Sequence, residues 1–194
     1  NQPTSYPTTG TSWYDLSGPG NNGTFTNGPT WDSNGWIDFD GTDDEIVVAD
    51  DSTLDLTTSM SFEILVKVDS SQTNPYPRLI DKNSYLVHIT QTSPFTIAQN
   101  IQTSSGTRQV TAGSAFTSNV WTHIVSNYNS SEGKIYVNGV LTGTNNFGSV
   151  LPAIPNGTVV TIGGDTGSGR QLTGSISKTK IYNKILTVSE ILQN

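Results

Sequence analysis

Residues 60–68 read MSFEILVKV, with an apolar side chain at every second position. In an extended chain successive side chains point to opposite faces, whereas a helix would distribute these residues around its circumference. Ser61, Glu63 and Lys67 fall on the second face, and Leu65 is the exception. The segment therefore predicts a β-strand with one face in a hydrophobic core. The residues on that face are Met60, Phe62, Ile64, Val66 and Val68.

Shorter runs of β-forming residues lie on both sides of this segment, separated by turns rich in Gly, Asn and Ser. Residues 36–40 alternate before Gly41, and Asn138-Gly139 separates two β-forming runs at 134–144, which favours a type I′ hairpin turn. About ten to thirteen such strands predict a two-sheet sandwich or a barrel. The other predicted strands cover 24–26, 30–31, 45–49, 78–80, 85–90, 96–100, 108–112, 121–128, 159–162 and 175–182.

A helix is predicted only at the end of the chain. Thr187 and Glu190 fit a capping box, in which each side chain accepts a hydrogen bond from the backbone of the other residue. The chain of 194 residues contains no long internal repeat and no linker. We therefore expect a single domain over residues 1–194, in which residues 1–35 form an irregular, turn-rich entry segment.

The composition excludes several classes of protein. The absence of cysteine removes disulfides, thiolate catalysis and cysteine-based zinc sites. No apolar run is long enough for a membrane-spanning helix, so we expect no membrane insertion. The net charge of −7 comes from sixteen acidic and nine basic residues. A nucleic-acid-binding protein would show a basic stripe, so no nucleic-acid partner is expected.

Eleven of the acidic residues precede Lys67, the first basic residue. One interpretation is that lysines from the end of the chain neutralise the acids at 38–55; these would be Lys178, Lys180 and Lys184. The other interpretation is a calcium site, because Ca²⁺ takes six to eight oxygen ligands and a turn containing glycine lets carbonyls join carboxylates. Carboxylates crowded at one turn repel each other unless a cation or a lysine is near. The predicted metal ligands are Asp38, Asp40, Asp43, Asp44 and Asp165.

Aromatic residues outside the clear core pattern suggest a ligand site. Sugars place their C–H faces on exposed rings, and nearby polar groups bind their hydroxyls. Tyr76 lies between Pro75 and Pro77, which stiffen its loop. The alternative is that each ring only packs at the rim of the fold. The predicted ligand-binding residues are Trp36, Tyr76, Arg78, Tyr85 and Arg108.

Three motifs follow one another along the chain. The first is FDGTDD with IVV, within 39–48; the second is WTHIV with KIYVNGV, within 121–140; the third is GSI, KIYN, LT and EI, within 174–191. In this order and spacing they resemble laminin G-like domains of the concanavalin A-like lectin/glucanase superfamily, over roughly residues 36–192. The segment WYDLSG at 13–18, with NNGT at 21–24, is similar to the entry segment of versions found in phage virion and environmental microbial proteins.

The resemblance implies a jelly roll of two antiparallel sheets, whose concave sheet or rim loops bind glycans or protein ligands and often hold one structural calcium. Ser177 and Lys178 stand where the family usually has acidic residues after Ile176. This departure weakens any calcium site that would use the closing strand.

We therefore expect an all-β, two-sheet antiparallel jelly-roll sandwich with one short C-terminal helical turn. Its expected function is that of a non-catalytic module, located outside a cell or on a virion surface, that binds glycans or cell-surface material. One alternative is a structural or decoration domain that contacts only other virion or surface-protein subunits. A second alternative is a polysaccharide-cleaving enzyme, which needs two carboxyl groups facing each other across a cleft. Glu63 has no acidic partner at 61 or 65, and His123 is expected to be a packed, hydrogen-bonded core residue.

Overall fold

The computed structural model describes residues 5–90, 94–113, 116–165, 167 and 169–193. Fifteen strands, one short 3₁₀ turn at Ser52–Leu54 and one helix of six residues make up its regular structure. The elements are β1 (Ser12–Trp13), β2 (Gly23–Thr26), β3 (Thr30–Asp32), β4 (Trp36–Asp40), β5 (Glu45–Val48), β6 (Met60–Val68), β7 (Arg78–Asp81), β8 (Tyr85–Ile89), β9 (Ile97–Thr103), β10 (Gly106–Thr111), β11 (Thr122–Tyr128), β12 (Glu132–Val137), β13 (Val140–Asn146), β14 (Val160–Ile162), β15 (Thr173–Tyr182) and α1 (Val188–Gln193).

The strands form two antiparallel sheets that share one hydrophobic core. The eight-stranded sheet has the order β1-β2-β5-β14-β7-β8-β9-β10, and the seven-stranded sheet has the order β13-β12-β11-β6-β15-β4-β3. This arrangement confirms the predicted all-β jelly-roll sandwich. Strand β6 lies at the middle of its sheet, and all five of its alternating apolar side chains are completely buried, as the sequence predicts.

The predicted hairpin and helix cap are confirmed. Asn138 and Gly139 both have positive φ angles, of 50° and 78°, which a type I′ turn requires. The backbone N–H of Thr187 donates to Glu190 Oε2 at 2.8 Å, and the N–H of Glu190 donates to Thr187 Oγ1 at 3.3 Å. Helix α1 then lies on the outer face of the seven-stranded sheet, where Ile191 packs with Leu186 and with side chains of β11 and β12.

The entry segment is more regular than the sequence predicts. It supplies β1, which was not predicted, and the short strands β2 and β3, which were. The ring of Tyr6 stacks on Phe25, with centroids 5.2 Å apart, and lies 5.0 Å from the ring of Trp31. Because Phe25 and Trp31 pack against the core, the entry segment is part of the sandwich.

One side of the sandwich is closed by contacts between its edge strands, β10 and β13. The N–H of Gly113 donates to the carbonyl of Thr142 at 2.6 Å, and Asn145 Nδ2 donates to the carbonyl of Gln109 at 2.8 Å. Gly143 makes this approach possible, because a Cβ at this position would lie 2.4 Å from the carbonyl oxygen of Thr111.

Helix α1 is far too short to cross a bilayer, and none of the helices in the described ranges combines the length and apolar character that a membrane span requires.

Candidate functional site

The outer face of the eight-stranded sheet carries a cluster of charged and aromatic side chains, which we call the Tyr76 surface. It lies where β7, β8 and the loop before β15 meet. Arg78 and His88 are direct partners across β7 and β8, and Arg78 Nε lies 3.3 Å from Asp81 Oδ2. The side chains of Arg78 and Asp81 are only 14% and 16% exposed. The members of the Tyr76 surface are Tyr76, Arg78, Asp81, His88, Asp165 and Arg170.

Tyr76 is the exposed aromatic member of this surface. Its side chain is 42% exposed, its ring lies 6.0 Å from the imidazole of His88, and the guanidinium carbon of Arg170 lies 5.3 Å from its ring centre. Its φ angle of +67° lies in the left-handed region, which a residue with a Cβ rarely adopts. The backbone N–H of Arg78 donates to the carbonyl of Arg170 at 3.0 Å, so the two loops that carry the arginines are tied together.

His88 lies almost completely buried beside Tyr76, with 4% of its surface exposed. Its Nδ1 is 3.1 Å from the carbonyl oxygen of Ile89, and its side chain also forms a hydrogen bond with Asn100. Burial and the positive charge of Arg78 lower the pKa of His88 to about 4, against smaller opposing effects of the Ile89 carbonyl and Asn100. The imidazole is therefore neutral at pH 7.

Burial and neighbouring charges affect the ionisation of Asp81 and Arg78 on the Tyr76 surface. Burial raises the pKa of the Asp81 carboxyl, while a hydrogen bond from the N–H of Asn83 and the charge of Arg78 oppose that change. Burial also lowers the pKa of Arg78, an effect that the negative charges of Asp81 and Asp165 counteract. Two arginines and two aspartates therefore balance each other in charge on this surface.

Of the predicted ligand-binding residues, the structure brings together Tyr76 and Arg78. The assignment of Tyr85 is wrong, because its side chain is completely buried, its ring lies 4.9 Å from Phe62, and its hydroxyl donates to the carbonyl of Leu54 at 3.1 Å. Arg108 is also misplaced. It pairs with the core residue Ile101 across β9 and β10, so it points to the inner side of its sheet.

Trp36 lies on the other sheet, away from the Tyr76 surface. Its ring is 5.5 Å from that of Trp121, and the ammonium group of Lys67 lies 4.9 Å from the Trp36 ring and 5.2 Å from the Trp121 ring. Lys67 therefore lies over the rings of both tryptophans. This pair forms a separate, half-buried aromatic surface on the seven-stranded sheet.

Three of the five predicted metal ligands lie close together. Asp40, Asp43 and Asp44 each offer a carboxylate oxygen, and these oxygens all lie within 4.8 Å of one another. Asp44 is buried and accepts a hydrogen bond from the N–H of Asp40 at 2.9 Å. Burial raises the pKa of Asp44, and the negative charges of Asp40 and Asp43 raise it further. Crowded carboxylates of this kind repel each other and favour a bound cation.

The other two predicted metal ligands lie outside this group. The carboxylate of Asp38 accepts a hydrogen bond from the hydroxyl of Ser175 at 2.5 Å on the outer face of the seven-stranded sheet. Asp165 acts electrostatically on Arg78 and Asp81, and therefore belongs to the Tyr76 surface.

The prediction that three lysines neutralise the acids at 38–55 is wrong. The ammonium groups of Lys178 and Lys180 lie 3.3 Å and 3.6 Å from the carboxylate of Glu63, and Lys184 pairs with Glu190. Lys82, which the sequence analysis did not single out, contacts the acidic segment instead. Its completely buried ammonium group lies 2.5 Å from Asp50 Oδ1 and 3.3 Å from Asp55 Oδ1.

Glu63 is the centre of a second polar cluster, on the outer face of the seven-stranded sheet. The carboxylate is completely buried, accepts a hydrogen bond from the hydroxyl of Tyr182 at 2.8 Å, and lies 3.2 Å from Nε2 of His123. Burial raises the pKa of Glu63, but hydrogen bonds from His123 and Tyr182 and the charges of Lys180 and Lys178 lower it to about 2. His123 is hydrogen-bonded, as predicted, but it is not a core residue, because its side chain is 18% exposed on the outer face of the sheet.

Sequence reasoning missed His88 and Arg170 as members of the candidate site. No local signal singles out His88, because both faces of residues 85–89 carry apolar side chains. Arg170 follows a glycine-rich segment whose conformation no local pattern predicts.

The chain is similar in sequence to a known protein family. A laminin G family model, described as the concanavalin A-like lectin/glucanases superfamily, matches residues 40–192. No curated protein sequence matches the chain.

Several solved structures have a similar fold. The binding domain of botulinum neurotoxin serotype G has a TM-score of 0.72 at 14% identity, over 93% of this chain and 47% of that one. The receptor-binding domain of a botulinum neurotoxin mosaic of serotypes C and D gives 0.70 at 16%, over 93% and 46%. The binding domain of paraclostridial mosquitocidal protein 1 gives 0.70 at 14%, over 93% and 48%. This chain spans about half the length of each, and at these identities the likeness concerns the fold.

Proposed function

Since the chain belongs to the laminin G-like family of the concanavalin A-like lectin/glucanase superfamily, we propose that it is a non-catalytic binding module for glycans or other cell-surface material. The solved structures of similar fold are binding domains, which supports a binding role but does not specify the ligand. We propose a location outside a cell or on a virion surface, where such a module meets its ligand.

The observation that carries the proposal is the position of Tyr76. The partly exposed ring has Arg170 over one face and His88 near it, so it combines an aromatic platform with polar groups, which is the arrangement that sugar rings require. A tyrosine in the left-handed region costs about 1–2 kcal/mol of conformational energy. Strain of this kind is concentrated at functional sites, where the conformation is needed for another purpose.

A catalytic role receives less support from the carboxylates. Glu63 is held ionised by four hydrogen-bonding or positively charged neighbours, all of which are donors. A glycoside hydrolase requires instead an acid with a raised pKa that faces a second carboxyl across a cleft.

The structural-module alternative is supported by exposed apolar residues at one end of the seven-stranded sheet. Val140, Leu141 and Leu192 are about half to two-thirds exposed, and Leu192 lies against Gly139 of the hairpin turn. Exposed apolar residues that lie together are typical of protein contact surfaces. Such a surface would serve contacts with other subunits of a virion or surface assembly.

We propose that the turn at Asp40–Asp44 binds a structural calcium ion. Three carboxylates within 4.8 Å, with backbone carbonyls of a tight turn, suit the oxygen ligands that Ca²⁺ prefers. The ion would hold this turn, which connects β4 and β5 and therefore joins the two sheets.

The test is a glycan array probed with the protein and with two matched variants. Tyr76→Ala removes the platform, and Tyr14→Ala removes a tyrosine of similar exposure, 47%, from the entry segment. We expect the wild type and Tyr14→Ala to bind the same glycans, and Tyr76→Ala to lose them. Failure of the wild type to bind any glycan, or equal binding by Tyr76→Ala, would reject the proposed site.

A further inference from the structure

Strand β15 is longer than the strand that lies beside it on one side. Its pairing with β6 continues from Gly174 to Tyr182, whereas its pairing with β4 ends at Ile176. The turn between β3 and β4 lies at this point, since the hydroxyl of Ser177 donates to the carbonyl of Gly35 at 2.9 Å. Among the strands that the structure describes, none pairs with residues 177–182 on the side away from β6.

A cleft of about 490 Å³ lies beside this part of β15, and we call it the β15 cleft. One wall is formed by residues 177–182 and the other by residues 13–17 of the entry segment. Tyr14 and Leu16 line the cleft with side chains that are 47% and 58% exposed, so it opens to solvent along the entry segment. Its floor consists of buried apolar side chains that belong to the hydrophobic core, which are Val48, Leu54, Val160 and Ile162.

The lining of the cleft is mainly apolar but includes a buried polar atom. Oγ1 of Thr179 has no hydrogen-bond partner among the residues that the structure describes. Thr179 is the partner of the core residue Ile64 across β15 and β6, so its side chain faces the inner side of the sheet. Buried polar atoms are almost always hydrogen-bonded, because leaving one unpaired is costly. An occupant of the cleft is therefore expected to bring apolar groups together with a hydrogen-bonding group.

We propose that the β15 cleft receives a β-strand from another polypeptide chain, which pairs with residues 177–182 and extends the seven-stranded sheet. An extended strand carries side chains on one face at every second position and hydrogen-bonding backbone groups along its edge. It therefore covers the apolar floor and pairs with a strand edge at the same time. The six residues of this edge span about 20 Å, which suits a strand better than a compact ligand. None of the residues of the Tyr76 surface lines the cleft, so this interface is distinct from the proposed glycan site.

The outer face of β15 determines which charges suit the incoming strand. The side chains of Lys178 and Lys180 lie on this face, 30% and 40% exposed, beside the carboxylate of Glu63. Opposite charges at facing positions of neighbouring strands stabilise the pair, and Glu63 is already the partner of Lys180 across β6 and β15. The incoming strand is therefore expected to be apolar on its inner face and acidic on its outer face.

The experiment measures amide hydrogen exchange of the protein with and without a synthetic peptide that copies residues 60–68. This peptide already has the pattern that complements β15, because its alternating apolar residues face inward and its glutamate faces Lys180. In the unliganded protein we expect alternate amides of 177–182 to exchange faster than those of 174–176, which are paired on both sides. The peptide should slow the fast amides. Equal protection of both parts of β15 without the peptide would overturn the proposal, because the edge would already be covered.

Two altered peptides and one protein variant serve as matched controls. Ile64→Pro in the peptide removes a backbone donor, and Glu63→Lys in the peptide places a positive charge opposite Lys180; each should weaken binding about tenfold or more. Tyr14→Ala combined with Leu16→Ala in the protein removes exposed apolar surface from one wall and should also weaken binding, and a thermal melt establishes that this variant folds.

Several results would overturn the proposal. They are equal binding of the proline peptide, protection only outside residues 177–182, and no binding of the original peptide. Binding of an apolar dye in the cleft without binding of the peptide would also overturn it, and would assign the cleft to a small apolar ligand. The glycan array tests the Tyr76 surface separately, so the two proposals stand or fall independently.

Discussion

The hydroxyl of Tyr182 donates a 2.8 Å hydrogen bond to Glu63, a completely buried carboxylate that lies 119 positions earlier in the chain. Tyr182 comes from β15 and His123 comes from β11, the two strands that flank β6 in the seven-stranded sheet. One carboxylate therefore links the three strands by side-chain contacts, in addition to their backbone ladders.

Glu63→Gln is expected to lower the free energy of unfolding by about 3 kcal/mol, because it removes the charge from a buried ion cluster. Urea denaturation at pH 7 measures this change. The matched control is Glu132→Gln, which removes a partly exposed ion pair with Lys134 and should cost less than about 1 kcal/mol. Equal effects of the two substitutions would contradict a structural role for the Glu63 cluster.

The stability of the protein should fall in two steps as the pH decreases. His88 has a pKa of about 4 in the folded protein against 6.5 normally, so between these values the unfolded chain binds a proton that the folded chain does not. This step lowers the free energy of unfolding by about 3 kcal/mol. Glu63, with a pKa of about 2 against 4.5, contributes stability that is present above pH 4.5 and is lost between 4.5 and 2.

Urea melts at intervals from pH 7.5 to pH 2 test both steps. His88→Gln should lose the upper step and retain the lower one, and Glu63→Gln should do the reverse. Parallel profiles for the wild type and His88→Gln between pH 6.5 and 4 would show that His88 does not titrate as the structure indicates.

Tyr76→Asn should remove glycan binding without lowering the stability of the protein. Asparagine tolerates the left-handed region better than tyrosine does, so the substitution relieves strain, although it loses contacts with His88 and Arg170. We expect a melting temperature equal to or above that of the wild type, together with loss of glycan binding. A large fall in the melting temperature would mean that the Tyr76 ring is mainly a packing element.

Calcium should raise the melting temperature, and excess chelator should reverse the rise. A ligand that binds only the folded chain adds about 2.7 kcal/mol at a hundredfold excess over its Kd. The double variant Asp40→Asn, Asp43→Asn should abolish the rise, whereas Asp32→Asn, outside the turn, should leave it intact. An unchanged melting temperature of the wild type in calcium would leave these acids as a solvated turn.

Local patterns predicted those elements that short-range chemistry determines. Residues 60–68 form a strand with the predicted bounds, because alternation over nine residues determines which face enters the hydrophobic core. The Asn138-Gly139 turn and the Thr187 cap also follow from contacts within a few residues.

The sheet face on which a side chain lies could not be predicted from local patterns where pairing with other strands determines it. Residues 85–89 read YLVHI, and both faces of such a strand contain apolar side chains. Pairing of β8 with β9 and β7 places Tyr85 in the core and His88 on the outer face, and this choice depends on residues ten or more positions away. The same reasoning applies to Asp165, which acts on Arg78 and Asp81 of the distant strand β7.

The contact between β10 and β13 affects how readily crowded molecules pair through their edge strands. An edge strand with free backbone amides is a template onto which a neighbouring chain adds its own strand, and repetition of that step produces fibrils. The hydrogen bonds of Gly113 and Asn145 engage this edge within the molecule itself. This edge is therefore less available for strand addition by a neighbouring molecule. A bulky residue at position 143 would force the strands apart and expose the edge to polymerisation.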